Sequence, residues 1–150
     1  MSLEEYWAKR DFTVTPEPRG EVASTVGDTF VVQEHHASRL HWDLRLERDG
    51  VLKSWAVPKG PPEEKRVRRL AVQTEDHPLQ YADFQGSIPE GEYGGGTISI
   101  WDAGTYETEK WMEGEIIVHL SGSRLTGRYC MIGFKGQAGN WLLFRCWKDG

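Results

Sequence analysis

Cysteine is scarce in this sequence, with only Cys130 and Cys146 among 150 residues. Two cysteines cannot build the disulfide framework of a small secreted domain. A chain of this length buries about two-thirds of the surface that its unfolded form exposes, so its stability requires neither disulfides nor a structural metal. We therefore expect both cysteines to be reduced thiols, in the core or at a strand edge, in a cytoplasmic protein.

Long apolar runs and an overall basic charge are also missing. No stretch approaches the roughly 20 apolar residues of a membrane-spanning helix, and the charged start, MSLEEYWAKRDF, does not resemble a signal peptide. The net charge of −5 argues against a non-specific nucleic-acid binder. Basic residues are nevertheless concentrated between residues 45 and 69, which carry eight basic and four acidic side chains.

Helical patterns are rare, and strand patterns dominate. One short helix is predicted in SLEEYWAKR, where Ser2 and Glu5 have the spacing of a capping box. An Asp-Gly pair at 49–50 predicts a tight hairpin, whereas GSIPEGEYGGG is typical of a long glycine-rich loop. The strand-like segments are TFVVQEH, LHWDLRLE, VLKSWAV, RLAVQTE, TISIWD, GTYETE, GEIIVHL, RLTGRYCMI and NWLLFRCW. About eight antiparallel strands with short links predict a mainly β fold, a small barrel or sandwich, as a single domain over residues 1–150.

The segment QEHHASRLHWDLRLE concentrates three of the five histidines between apolar residues. Side chains alternate between the two faces of a strand. The expected core face carries Leu40, Trp42, Leu44 and Leu46, and the outer face carries His41, Asp43, Arg45 and Glu47. The Cα atoms of His41 and Asp43 should lie roughly 7 Å apart, so both side chains can reach one ion. His35 can join them across the sheet if the following residues fold back.

Two imidazoles and one carboxylate suit Mn²⁺, Fe²⁺ or Zn²⁺ and leave coordination positions open for water and substrate. Arg45, on the same face, is suited to bind a phosphate oxygen. His36 competes with His35 as a ligand, and alternation cannot place both on one face; the histidine spacing of the family that this segment resembles, described below, favours His35. The alternative interpretation is that these charges only solvate the outer face of a strand.

Other candidate residues are weaker when each is considered alone. His77 is consistent with a turn histidine, Lys59 and Arg69 with surface charges, and His119 with a structural role. The triple glycine at 94–96 lacks the strand–turn–helix setting of a phosphate-binding loop and is interpreted as a turn.

Two long motifs resemble one known family. HHASRLHWDLRLERDGVLKSWAVPKGPP and EDHPLQYADFQGSIPEGEYGGG, followed by WDAGTYE and WLLF, are similar to the 3′-phosphoesterase domain of DNA ligase D and its stand-alone relatives. The resemblance extends from KRDFTVTPEP to WLLFRCW, nearly the whole chain. It implies a small β-barrel whose active site lies on the outer surface.

The resemblance also implies an activity and a set of site residues. Members of this family remove a 3′-terminal ribonucleoside from a DNA primer strand and then hydrolyse the remaining 3′-phosphate, with manganese preferred. The implied metal ligands are His35, His41 and Asp43. The implied phosphate-binding and catalytic residues are Arg45 and His77, with Lys59 and Arg69 assisting the second step, Tyr81 lining the site, and Arg10, Asp11 and Glu17 in the N-terminal segment.

Two other functions fit parts of the pattern. A non-haem Fe(II) oxygenase also uses two histidines and a carboxylate, although Arg45, Lys59 and Arg69 suit phosphate better. A non-catalytic module that docks on DNA ends or on a ligase fits the size of the chain. The partners that the family resemblance implies are a DNA primer-template with a 3′-ribonucleotide or 3′-phosphate end and a ligase or polymerase of end joining. The sequence leaves open whether the chain acts alone.

Overall fold

The computed structural model describes residues 3–24 and 27–146. They form one short α-helix, nine β-strands and one 3₁₀ helix. The helix α1 spans Glu4–Ala8, and the 3₁₀ helix spans Leu79–Asp83. The strands are β1 Thr29–His36, β2 Leu40–Arg48, β3 Val51–Val57, β4 Arg68–His77, β5 Gly86–Ile88, β6 Gly96–Met112, β7 Glu115–Ser121, β8 Thr126–Gly133 and β9 Asn140–Arg145.

Eight of these strands close into an antiparallel barrel. The order around it is β1-β2-β3-β4-β9-β8-β7-β6, and β6 pairs with β1 to complete the ring. The predicted mainly β fold with a short N-terminal helix is confirmed, and the structure is the barrel rather than the sandwich. The Asp49–Gly50 hairpin is confirmed as well, since both residues have the positive φ values, 56° and 81°, that this turn requires.

Two predicted details of the strands differ from the structure. TISIWD and GTYETE are parts of one 17-residue strand, β6, whose first half pairs with β1 and whose second half pairs with β7. The glycine-rich loop also contains a short strand, β5, which adds to β6 outside the ring. A strand that changes partner along its length looks in sequence like two strands.

The barrel interior is filled by aromatic and aliphatic side chains. Leu44 and Leu46 are buried there, as predicted, and Trp42 packs against the same cluster. Leu40 is 42% exposed, so its predicted place in the core is wrong. The reason is its position as the first residue of β2, beyond the end of the core cluster.

A second apolar cluster covers part of the outer face of the barrel. Tyr6 of α1 and Tyr81 of the 3₁₀ helix pack against Leu52, Ile88 and Ile98. The hydroxyl of Tyr6 donates to the carbonyl of Pro18 at 2.5 Å, which closes the N-terminal segment on itself. The outer face is therefore not open to solvent as a plain strand surface would be.

The polar row of β2 is buried, with Asp43, Arg45 and Glu47 only 5%, 3% and 8% exposed. The covering layer lies over Asp43 and Arg45, whereas the Glu47 carboxylate lies against Gly27 and accepts from the amide of Thr29. Strand alternation gave the correct face but no sign that other segments lie over it. Burial of charge requires partners, which the candidate site supplies for Asp43 and Arg45.

The predicted capping residue Ser2 lies outside the described residues. The helix begins at Glu4, with Leu3 at the N-cap position and no side-chain cap. Among the described residues, no helix is long and apolar enough to cross a membrane.

The prediction of two reduced thiols is wrong. Cys130 of β8 and Cys146, just after β9, form a disulfide with their Cα atoms 6.1 Å apart. In the antiparallel pair of β8 and β9, Cys130 lies opposite Phe144, and the amide of Cys146 donates to the carbonyl of Arg128. The two cysteines therefore lie diagonally across from each other on one face of the strand pair. A separation of 16 residues in sequence gave no indication of this neighbourhood.

Candidate active site

Strand pairing places two histidines side by side on the outer face of the barrel. His35 of β1 lies opposite His41 of β2, and their ring centroids are 4.7 Å apart. Asp43 follows His41 by two residues and projects from the same face. One potential ligand atom from each of the three lies within 4.8 Å of the others. The structure therefore brings the three predicted metal ligands together.

Backbone carbonyls orient both imidazoles. Nε2 of His35 lies 2.7 Å from the carbonyl oxygen of Gly94, and Nδ1 of His41 lies 3.1 Å from that of Arg39. Because a carbonyl oxygen only accepts hydrogen bonds, these two nitrogens carry the ring protons. The opposite nitrogens lie 3.5 and 3.3 Å from Oδ2 of Asp43. In the neutral rings these outer hydrogen bonds leave the two opposite nitrogens with lone pairs that face Asp43, as is typical of metal-binding histidines. In a protonated ring the same nitrogen donates a hydrogen bond to Asp43 instead.

Asp43 is ionised despite its burial. Burial alone would raise the pKa of this carboxyl, but the guanidinium of Arg45 and the hydrogen bonds of His35 and His41 outweigh it and hold the pKa well below its usual range. The hydrogen bond with Asp43 in turn raises the pKa of His41. A nitrogen, nitrogen and oxygen donor set of this kind fits a borderline or hard divalent ion.

Arg45 is held rigidly beside this cluster. Its Nε donates to Oε1 of Gln33 at 2.7 Å, and one terminal nitrogen donates to Oγ of Ser54 at 2.9 Å. The other terminal nitrogen lies 3.5 Å from Oδ2 of Asp43. The guanidinium also sits 4.8 Å from the ring centroid of Tyr81. A fixed guanidinium next to a metal site is well placed to bind a phosphate oxygen.

His77, at the end of β4, is buried and neutral. Its Nδ1 lies 2.8 Å from the carbonyl oxygen of Glu75, so this nitrogen carries the proton. Its Nε2 accepts from Arg10 at 3.4 Å. Burial, followed by the positive charges of Arg45 and Arg10, holds the pKa of His77 well below its usual value. The ring packs edge-on against Tyr81, with centroids 4.7 Å apart.

The N-terminal segment contributes a buried ion network. Arg10 donates from Nε to Glu17 at 3.0 Å and from a terminal nitrogen to Glu75 at 3.1 Å. Glu17 also accepts from the hydroxyl of Tyr81 at 2.6 Å. Burial raises the pKa of Tyr81 well above its usual value, so the hydroxyl remains a donor. The predicted residues Arg10, Glu17, His77 and Tyr81 thus meet at one place.

Asp11 lies away from the pocket, as do two histidines that were not assigned to the site. Asp11 is exposed, and its carboxylate accepts from the backbone and hydroxyl of Thr13 as a local turn cap. His36 is exposed, with its Nε2 2.6 Å from Glu34, on the opposite face of β1 from His35. His119 lies 2.8 Å from a carboxylate oxygen of Glu109 on the neighbouring strand.

Lys59 and Arg69 do not line the pocket around the histidines. They lie in a separate depression of about 350 Å³ beside Trp42 and Trp101, which we call the Lys59–Arg69 depression. One terminal nitrogen of Arg69 donates to the backbone carbonyls of Lys59 and Gly60. Arg69 lies on the same side of β4 as the core residue Ala71. A register shift in the pairing of β3 with β4 separates this row from Glu75 and His77, so Arg69 points away from the outer face.

Sequence reasoning missed two buried polar residues of the site. Gln33 is fully buried, and its amide donates to the carbonyls of Tyr81 and Phe84 while its oxygen accepts from Arg45. The carboxylate of Glu75 accepts hydrogen bonds from Arg10 and from Nζ of Lys9, the latter at 3.2 Å. The alternation of side chains along a strand could have identified both residues, because Gln33 lies two residues before His35 and Glu75 lies two residues before His77.

These side chains surround a pocket of about 250 Å³. Its charged lining comprises two guanidiniums and three carboxylates, contributed by Arg10, Arg45, Glu17, Asp43 and Glu75. Without an ion the formal charge of this set is −1. A divalent cation would change it to +1 and make the pocket attractive to an anion. The arrangement is therefore suited to bind a phosphate together with a metal.

Comparison with known families gives one clear match. The model of the DNA ligase D 3′-phosphoesterase domain matches residues 33–133. The matched range contains the histidine and aspartate cluster, Arg45, His77 and Tyr81.

Comparison with individual proteins agrees with the family match. The multifunctional non-homologous end joining protein LigD of Mycobacterium bovis is 54% identical over 149 residues, which cover 95% of this chain and 19% of that protein. The LigD protein of Pseudomonas aeruginosa is 49% identical over 158 residues, covering 99% of this chain and 19% of its own length. The chain thus spans about a fifth of the length of these relatives.

Proposed function

Because the chain belongs to the family of DNA ligase D 3′-phosphoesterase domains, we propose that it is a metal-dependent hydrolase that repairs the 3′ ends of DNA. It removes a 3′-terminal ribonucleoside as a phosphodiesterase and then removes the 3′-phosphate as a phosphomonoesterase, leaving a 3′-hydroxyl. The observation that carries the proposal is the convergence of His35, His41 and Asp43 within 4.8 Å, beside the fixed guanidinium of Arg45.

The proposed cofactor is Mn²⁺, held by His35, His41 and Asp43. Both imidazoles present a lone pair toward the ionised carboxylate, and the set contains no thiolate, which suits such an ion. When bound, the ion would polarise a phosphoryl oxygen and lower the pKa of a bound water.

In this proposal, side chains of the protein bind the phosphate and supply the proton. Arg45 binds and orients the phosphate and offsets the charge that develops in the transition state. Burial, and after it the positive charges of Arg45 and Arg10, lowers the pKa of His77 and keeps it neutral; an incoming phosphate offsets the part that the two arginines contribute. Substrate binding therefore promotes protonation of His77, which can then donate to the phosphate or to the leaving oxygen.

The proposed biological setting is non-homologous end joining. The curated relatives are multifunctional end-joining proteins, so the proposed partners are a DNA primer-template and the ligase or polymerase functions of the same process. In this setting the chain prepares the 3′-hydroxyl that strand sealing requires.

The test uses a labelled primer-template that ends in a single 3′-ribonucleotide. Incubation with Mn²⁺ should shorten the primer first to a 3′-phosphate and then to a 3′-hydroxyl, and a chelator should stop both steps. His41→Ala and Asp43→Ala should each lower both rates by at least about 100-fold, the scale expected for a ligand of a catalytic metal. The matched control is His36→Ala, which removes an exposed histidine on the other face and should retain full activity.

Three outcomes would contradict the proposal. An active His41→Ala protein would show that the cluster is not catalytic. Oxygen consumption with iron and a keto acid, without primer shortening, would favour an oxygenase. Salt-sensitive binding to DNA ends without metal-dependent turnover would favour a docking module.

A further inference from the structure

Tyr93 is an exposed aromatic side chain at the mouth of the candidate active site. It lines the same pocket as His35 and Asp43, and 46% of its surface is exposed. Tyr81, the other tyrosine of this pocket, is 1% exposed and packed into the covering layer. The residue after Tyr93 is Gly94, whose carbonyl orients His35. Tyr93 is therefore close to the metal cluster and accessible to a ligand.

The ring of Tyr93 is held in place. Its hydroxyl lies 3.5 Å from Nζ of Lys9 and 3.4 Å from a carboxylate oxygen of Glu75. The amide of Gly95 donates to the carbonyl of Glu92 at 3.0 Å and closes the turn that carries the ring. A flat surface that is already ordered loses little entropy when a ligand packs on it.

The charges around Tyr93 do not favour a chain of phosphates. Nζ of Lys9 and Cζ of Arg10 lie 4.9 and 5.2 Å from the ring centroid of Tyr93. Both cations are already paired with carboxylates: Lys9 with Glu75 at 3.2 Å and Glu5 at 3.7 Å, and Arg10 with Glu17 and Glu75. The shallow groove that Tyr93 lines outside the pocket contains Glu5 and Glu75 together with Lys9. The positive charges beside the ring are thus offset by carboxylates, and the surface suits an uncharged group better than a chain of phosphates.

A DNA strand that ends in a ribonucleotide has one such group at its scissile phosphate. On one side of this phosphate lies the polyanionic strand. On the other side lies the terminal nucleoside, which is uncharged and carries no further phosphate.

We propose that Tyr93 stacks on the base of this 3′-terminal nucleoside and so forms the subsite of the leaving group. The inference rests on the phosphoesterase function proposed above and assigns the direction in which the strand enters. Because every base has a π face, the subsite accepts any of the four bases. It acts only in the first step, since the nucleoside has left before the 3′-phosphate is hydrolysed.

The experiment compares three proteins on three primers. The proteins are the wild type, Tyr93→Phe and Tyr93→Ala, and the primers end in a ribonucleotide, in an abasic ribose unit or in a 3′-phosphate. On the ribonucleotide primer, Tyr93→Ala should lower kcat/KM about tenfold, the loss of one base stack. Tyr93→Phe, which keeps the ring and loses only the hydroxyl contacts, should retain most of the wild-type value. On the 3′-phosphate primer all three proteins should agree, which also shows that the variants are folded.

The abasic primer isolates the stacking contact. The wild type should fall about tenfold on this primer, whereas Tyr93→Ala, which has no ring, should lose nothing further when the base is removed. Equal losses of Tyr93→Ala on all three primers, or a loss in Tyr93→Phe as large as in Tyr93→Ala, would overturn the inference. If the wild type is active and Tyr93→Ala matches it, only this inference fails. If the wild type cleaves no primer, the proposed function fails and the subsite fails with it.

Discussion

Replacing Arg10 with alanine tests whether the N-terminal segment is clamped to the barrel by buried charge. The Arg10, Glu17 and Glu75 side chains are 4%, 0% and 2% exposed. Removing the guanidinium leaves two carboxylates buried with their main counterion gone. The guanidinium also packs 3.9 Å from the ring centroid of Tyr6, which covers the outer face.

The expected loss of unfolding free energy is about 3 kcal/mol. Removing one partner of a buried ion pair costs roughly 3–5 kcal/mol. The lower end applies here because each carboxylate keeps another donor: Tyr81 at 2.6 Å for Glu17, and Lys9 at 3.2 Å for Glu75. The loss should also depend on pH. In the wild type the pKa of Glu75 is lowered: burial acts to raise it, and the residue's own backbone and Arg10 outweigh that effect.

Without Arg10 the pKa of Glu75 should rise above its value in the unfolded chain. The folded variant then binds a proton more readily than the unfolded variant does, so its deficit should shrink as the pH falls from 7 toward 5. Urea unfolding followed by tryptophan fluorescence at both pH values measures this. The matched control is Lys110→Ala, which removes an exposed ion pair with Glu115 and should change the unfolding free energy by less than about 1 kcal/mol. An Arg10→Ala protein no less stable than this control, or equally destabilised at both pH values, would refute the reasoning.

Two further predictions concern the regions outside the pocket. If Lys59 and Arg69 assist the second step, Lys59→Met and Arg69→Met should slow removal of the 3′-phosphate by about tenfold, so that this intermediate accumulates on the ribonucleotide primer. Lys135→Met is the control for loss of an exposed charge. Complete conversion to the 3′-hydroxyl at the wild-type rate would contradict the role. Cys130→Ser should lower the unfolding free energy by about 3 kcal/mol, because the disulfide closes a loop of 16 residues. Treatment of the wild type with a reductant should give the same loss in urea unfolding. An unchanged unfolding midpoint would show that the disulfide does not stabilise the fold.

Local sequence patterns predicted the strands and the hairpin, because a few neighbouring residues are enough to determine each of them. Alternation in β2 placed Leu44 and Leu46 inside and Asp43 outside, and the Asp49–Gly50 turn fixed the register of β2 on β3. The pairing of Cys130 with Cys146 depends on which strands become neighbours in the barrel. That information is spread over the whole chain, and no local pattern contains it.

The site was predictable where one strand pair forms it and unpredictable where several segments meet. His35, His41 and Asp43 follow from a single hairpin-like pairing of β1 with β2. The burial of Asp43 does not, because the cover comes from α1 and the 3₁₀ helix, far away in sequence. Arg69 shows the converse: the family resemblance implied a role in the site, but the register shift in β4 leaves its side chain on the row of Ala71, away from the pocket.

Burial of the outer face has a chemical consequence for the proposed reaction. On an open strand surface, water and salt would screen Asp43 and Arg45 and weaken their effect on a bound phosphate. Under the covering layer both groups are fixed by hydrogen bonds within a less polar surrounding, where charges act more strongly on one another. Such burial is stable only if each charge has a partner. Asp43 lies beside Arg45, and Arg10 of the covering segment pairs with Glu17 and with Glu75 of β4. The N-terminal segment is therefore as much a part of the candidate site as β1 and β2, which carry the histidines. In the sequence, however, only the histidines suggest a chemical function.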